Sequence, residues 1–120
     1  MVQKVFLIFA FLLVMMIGCS KPYEEGMPHS SAYKHLLAKE EGTYSLYVVA
    51  KLDTITSELL RENGITNVRT IRHTESLEEA MKDYKFMKLD KSPAFVVFDD
   101  KKVIYKTYNQ DELIKFLKGR

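Results

Sequence analysis

Hydrophobic positions change their spacing several times along this chain, and each change marks an element. The first run, Val5 to Ile17, is apolar over 13 unbroken residues, follows a short basic start at Met1 to Lys4, and ends at Gly18-Cys19. From Ser20 to His29 the chain is polar and broken by Pro22, Gly26 and Pro28, with no apolar face to bury. Tyr33, Leu36 and Leu37 then fall at helical spacing and predict a helix over Ser30 to Glu41, with Ser30 or Ser31 to cap it and Gly42 to end it. Tyr44 to Ala50 is β-branched, aromatic and nearly continuous in apolarity, the pattern of a central strand covered on both faces. Asp53 is placed to N-cap a helix from about Thr54 to Asn63, with Ile55, Leu59 and Leu60 as its stripe and Asn63-Gly64 as its stop.

The second half repeats the alternation of strand and helix. Thr66 to Thr74 mixes Val68, Thr70 and Ile71 with Arg69, Arg72 and His73, which suits a partly solvated edge strand. Ser76 and Glu79 have capping-box spacing, and Leu77, Ala80, Met81 and Tyr84 lie along one side of the helix they open. Ala94 to Phe98 and Val103 to Tyr108, joined by a polar turn at Asp99 to Lys102, predict an antiparallel hairpin. Asn109 and Glu112 cap a last helix with Leu113, Phe116 and Leu117 on its inner face, and the chain finishes on basic residues that suit a helix C-terminus. Helix, then β-α-β-α-β-β-α, with right-handed crossovers and a closing hairpin, gives an α/β fold: a four-stranded mixed sheet ordered 2-1-3-4 with helices on both faces.

The apolar run at the start has the length of a signal-peptide core. As a helix it covers only about 20 Å of the roughly 30 Å that a bilayer core requires. Met16-Ile17-Gly18-Cys19 resembles the bacterial lipobox, with Met16 where leucine is usual. That resemblance implies removal of residues 1–18, diacylglycerol on the sulfur of Cys19, a tether over 19–29, and a domain over 30–120. It places the protein on the extracytoplasmic face of a cell membrane, its first partner being membrane lipid held through Cys19. Ser20 is not the aspartate associated with inner-membrane retention in many two-membrane bacteria, so an outer membrane is also a compatible destination.

Composition narrows the chemistry. Hydrophobic residues make up 47% and charged residues 28% of the chain, an ordinary globular balance, and the formal charge is +2. Without Lys4 there are 17 basic residues against 16 acidic. That balance gives no footprint for nucleic acid. Phosphate-binding glycine loops, a nucleophile elbow and paired carboxylates of recognisable geometry are all missing from the sequence, so neither an enzyme nor a cofactor is expected. His29, His35 and His73 are scattered, without H-x-x-x-H spacing, and no metal site is expected. Lys82, Lys85, Lys88 and Lys91 recur every three residues, and with Asp83 and Asp90 among them they read as a solvated face. Tyr84, Phe86 and Met87 read as core.

The stretch Ser92-Pro93-Ala94-Phe95-Val96-Val97-Phe98-Asp99-Asp100, continuing to Leu117, resembles the C-terminal half of thioredoxins, and the likeness spans roughly Tyr44 to Leu117. It implies a thioredoxin-like three-layer sandwich, a cis bond at Ser92-Pro93, and a peptide-binding face beside that proline. Counted from Ala50, the family's two cysteines fall on Asp53 and Thr56 of Asp53-Thr54-Ile55-Thr56. Thiol-disulfide exchange needs a thiolate and a resolving sulfur, and the chain has one cysteine, Cys19. The expectation is therefore a redox-inactive module that binds an extracytoplasmic protein or peptide through Asp53, Thr54, Ile55, Thr56, Ser92 and Pro93. Two alternatives stand beside it: an accessory to thiol chemistry acting through a partner's cysteines, and a structural envelope lipoprotein.

Overall fold

A computed structural model describes residues 31–120; the expectations for the leader, Cys19, the tether and His29 lie outside the described residues. Four strands form one sheet: β1 (Tyr44–Val49), β2 (Val68–Thr74), β3 (Ala94–Phe98) and β4 (Val103–Thr107), in the order β2-β1-β3-β4. β1 runs parallel to β2 and antiparallel to β3, and β3 runs antiparallel to β4. The predicted mixed sheet, its order and its hairpin are all present. Every side chain of β3 is fully buried, which its uninterrupted Ala-Phe-Val-Val-Phe run anticipates, whereas β2 is half-solvated at the sheet edge.

Period-two alternation divides the core into two clusters. Tyr47 and Val49 of β1 and Ala94, Val96 and Phe98 of β3 face one side, while Leu46, Val48, Phe95 and Val97 face the other. On the first side lie a 3-10 helix (Ser31–Leu36), α2 (Leu77–Asp83) and a 3-10 turn (Lys85–Met87); on the second lie α1 (Ser57–Glu62) and α3 (Gln110–Lys118). Each fully buried Phe, Leu or Val contributes about 1.5–3 kcal/mol, so the two clusters supply the main drive to fold. A bulge at the β3–β4 pairing, where Phe98 meets Val103 but Val97 meets Tyr105, turns both Ile104 and Tyr105 towards the second cluster.

Three elements differ from their predicted forms. The leading helix is a six-residue 3-10 segment and not an α-helix to Glu41. Tyr33 and Leu36 stack on one side at the three-residue period of that helix, and the Ala38 N–H then donates to the Asp99 carbonyl at 2.9 Å, drawing the chain away to the hairpin turn. The helix after β1 begins at Ser57 with Thr56 as its cap, not at Thr54 with Asp53 as its cap. Ile55 explains the shift: it is completely buried, so the chain must dip into the core before it can turn into the helix. Met81, expected on the inner stripe of α2, is 45% exposed, because the seven-residue helix packs on Leu77, Ala80 and Tyr84 and leaves its i+4 flank outward.

Both predicted capping boxes form with an added residue. The Ser76 hydroxyl accepts from the Glu79 N–H at 3.1 Å, but the Glu79 carboxylate accepts from the Thr74 hydroxyl at 3.3 Å, and that same Thr74 oxygen accepts from the Ser76 N–H at 3.2 Å. Asn109, Glu112 and Thr107 repeat the arrangement at 3.0, 2.8 and 3.2 Å. In each case the last threonine of a strand completes the cap of the helix that follows.

Candidate functional site

Strand direction gathers the loops of interest at one end of the sheet. Val49 at the close of β1 pairs with Thr74 at the close of β2 and with Ala94 at the opening of β3, and Phe95 pairs with Thr107 at the close of β4. The connections 50–56 and 88–93 therefore leave from neighbouring strands at the same end, where α1, α2 and α3 also begin. In open α/β sheets the crevice outside the strand ends is where ligands are usually held.

The 50–56 connection is fastened from inside. Its Ala50 N–H donates to the Thr74 carbonyl at 3.0 Å, and its Thr54 N–H closes a turn on the Lys51 carbonyl at 3.0 Å. Ile55 is fully buried in the second cluster, which also holds Val48 and Leu60. The ring Nε2–H of His73, on β2, donates to the Ile55 carbonyl at 3.0 Å. Thr56 spends its hydroxyl as acceptor for the Leu59 N–H at 3.1 Å. Of the four residues expected to bind a partner here, Ile55 is buried and Thr56 is exposed with its hydroxyl engaged by the helix start, while Asp53 is exposed and Thr54 half-exposed. Leu52, missed in the sequence because it falls outside any apolar stripe, is 62% exposed at the tip of this connection.

The 88–93 connection is fastened from β4. Lys106 donates its ammonium protons to the carbonyls of Met87 at 3.1 Å and Lys88 at 3.2 Å. Lys88 itself is left-handed at φ 49°, an uncommon conformation for a residue with a side chain, and its bonded carbonyl helps hold it. The Tyr108 hydroxyl oxygen accepts from the Asp90 N–H at 3.1 Å, and the Lys91 ammonium stands 5.3 Å from the centre of the Tyr108 ring. The Ser92-Pro93 bond that follows is cis, the geometry expected for it, and both residues are exposed. Lys106 and Tyr108 position this loop, and the sequence alone marks them only as polar or amphipathic breaks in an edge strand.

The end of the sheet thus presents Leu52, Asp53, Thr54, Ser92 and Pro93: two apolar side chains among hydroxyls and a carboxylate, on two braced loops. Residues 31–120 contain no cysteine, so these groups can hold a ligand but cannot carry out disulfide exchange. Among the described residues no cluster of His, Cys, Asp and Glu is arranged to hold a metal ion. His35, exposed, shares a 3.1 Å hydrogen bond with the Tyr84 hydroxyl, far from His73 in role. Tyr47 has its phenol pushed up to about 12, first by burial and then by Tyr84, Asp83 and Glu79, and so stays neutral and does not act as a base near neutral pH. Shallow clefts lie elsewhere, around Arg61 on α1 and beside Met81 on α2.

Among the described residues no helix is long and apolar enough to cross a membrane. Compared with protein-family models, with curated proteins and with solved structures, the chain matches none.

Proposed function

We propose that this protein is an extracytoplasmic lipoprotein, held to the membrane by diacylglycerol on Cys19, whose thioredoxin-like domain has given up redox chemistry and binds an extended segment of another protein. The reading is carried by one observation: the Val49–Ala94 pairing sets two braced loops side by side, with Leu52 and Pro93 exposed between polar groups. The β2-β1-β3-β4 order with a proline just before β3 supports the fold assignment. An extended peptide laid across this end meets apolar contacts from Leu52 and Pro93, with Asp53 and Ser92 ready for its polar groups. The lipobox-like Met16-Ile17-Gly18-Cys19 supports the anchor.

A photo-crosslinking residue at Leu52, compared with one at exposed Glu62 on α1, tests the binding face in intact cells. The expected result is a protein adduct from position 52 that is absent from position 62 and weakened by Asp53→Ala with Ser92→Ala. Equal adducts from both positions would remove the binding face from the proposal. Labelling with radioactive palmitate, abolished by Cys19→Ser, is the expected outcome for the anchor. Reduction of insulin disulfides by the purified protein would contradict the loss of redox chemistry.

A further inference from the structure

In sequence the lysines at 82, 85, 88 and 91 are interrupted by acids and read as a merely solvated face. Packing separates them. On one flank of α2 the Glu79 carboxylate accepts the Thr74 hydroxyl, and Glu79 and Asp83 are both close enough to Tyr47 to favour its neutral phenol. The other flank carries a cleft of about 190 Å³ lined by Met81, Tyr84, Lys85, Lys88 and Leu89. Met81 and Leu52 are the large apolar side chains that stand exposed among the described residues, and Leu52 belongs to the end of the sheet already discussed. By the period of the helix Glu78 shares the Met81 flank and Lys82 stands midway between Lys85 and Glu79, so the cleft side holds Lys85 and Lys88 against one glutamate, with Lys82 at its margin.

The chain enters the body at the same place. Tyr33 sets its ring 4.9 Å from Phe86 and 6.0 Å from Tyr84, both edge-on, so the leading 3-10 helix lies against the turn that carries Lys85 and Lys88. Residues 20–30 alone separate it from Cys19, and eleven residues span at most about 40 Å when fully extended. The helices of the opposite layer carry a slight excess of acid: α1 offers Arg61 against Glu58 and Glu62, and α3 offers Lys115 and Lys118 against Asp111 and Glu112.

We infer that the domain rests on an anionic phospholipid surface through the α2 flank, with Lys82, Lys85 and Lys88 at the headgroups and Met81 at the edge of the acyl region. The inference rests on the lipid-anchored reading above and adds an orientation to it. A lipid chain and a basic patch act together at one surface, each lysine favouring the docked orientation by about fivefold. Docking this layer leaves the sheet end with Leu52 and Pro93 at the side, open to a partner.

The test uses the full chain, processed in a bacterial host and reconstituted into phosphatidylcholine vesicles with or without phosphatidylglycerol. A fluorophore is placed at Met81→Cys or, on the opposite layer, at Glu58→Cys, and a lipid-linked quencher reports its approach to the membrane. The expected result is quenching at 81 and not at 58, seen only with phosphatidylglycerol, lost at high salt and lost in Lys82→Gln/Lys85→Gln/Lys88→Gln. Protein that floats with the vesicles but is quenched equally at 81 and 58, or is unaffected by the lysine changes, overturns the orientation and leaves the anchor standing. Protein that does not float at all overturns the anchor and the orientation with it.

Discussion

The junctions from β2 to α2 and from β4 to α3 are built alike, and the junction from β1 to α1 is built differently. Thr74-Ser76-Glu79 and Thr107-Asn109-Glu112 share one spacing, and in both a threonine hydroxyl links the cap to the glutamate. These junctions are short and consume their polar groups internally. The β1–α1 junction takes residues 50–56, plants Ile55 in the core, borrows a hydrogen bond from His73, and still leaves Leu52 and Asp53 facing solvent. A junction that satisfies itself has little to offer a ligand; the one braced by its neighbours keeps side chains in reserve. The proposed binding face falls at the second kind.

The largest effect expected from this difference is at Ile55. Ile55→Ala should lower stability by about 3 kcal/mol, the usual cost of emptying a buried aliphatic position, measured by urea unfolding. A loss well under 1 kcal/mol would mean that His73 and the turn at Lys51–Thr54 hold the connection without it, and that the two kinds of junction are less distinct than their packing shows. Next comes Thr107→Val, which strips the shared hydroxyl from a residue only 5% exposed and leaves the Asn109 N–H and the Glu112 carboxylate without that partner. About 2 kcal/mol is expected, with about half of that for Thr74→Val in the more open copy. Equal losses at the two threonines would show that burial does not set their worth.

Much of this arrangement was legible in the residues because local and tertiary forces agree. The continuous apolar run of Ala94 to Phe98 suits an inner strand, and the mixed Val68 to Thr74 suits an edge, and both stand so in the sheet. Ser76 and Asn109 cap their helices as their spacing foretells. The β1–α1 junction is ambiguous in the residues because Asp53 and Thr56 are both good caps, and the choice between them is made by Ile55, whose burial depends on strands distant in sequence. The candidate site shifts with it: Ile55 is buried, the exposed Thr56 has its hydroxyl engaged by the helix start, and Leu52 stands exposed beside Asp53. Lys106 and Tyr108, which fasten the loop before Pro93, carry no local signal, since an edge strand accepts either residue without a ligand or a loop to hold. The separation of Lys85 and Lys88 from Glu79 and Asp83 was equally hidden, because the 3-10 turn that carries the two lysines past the end of α2 has no mark in the order of charges.

The smallest expected effect separates the two caps. Thr56→Ala should cost about 1 kcal/mol, as should Ser76→Ala and Asn109→Ala, each removing the acceptor of one helix-opening N–H. Asp53→Ala should change stability by no more than about 0.5 kcal/mol, as an exposed substitution away from any cap does. Urea midpoints of the four variants decide the matter, and the comparison is internal, so the common unfolded reference cancels. A cost at Asp53 equal to that at Thr56 would mean that its carboxylate is bound to the helix start and has nothing left for a partner. A neutral Asp53→Ala that also weakens the adduct from position 52 places the cost in binding and not in folding, which is what an unspent carboxylate on a braced loop requires.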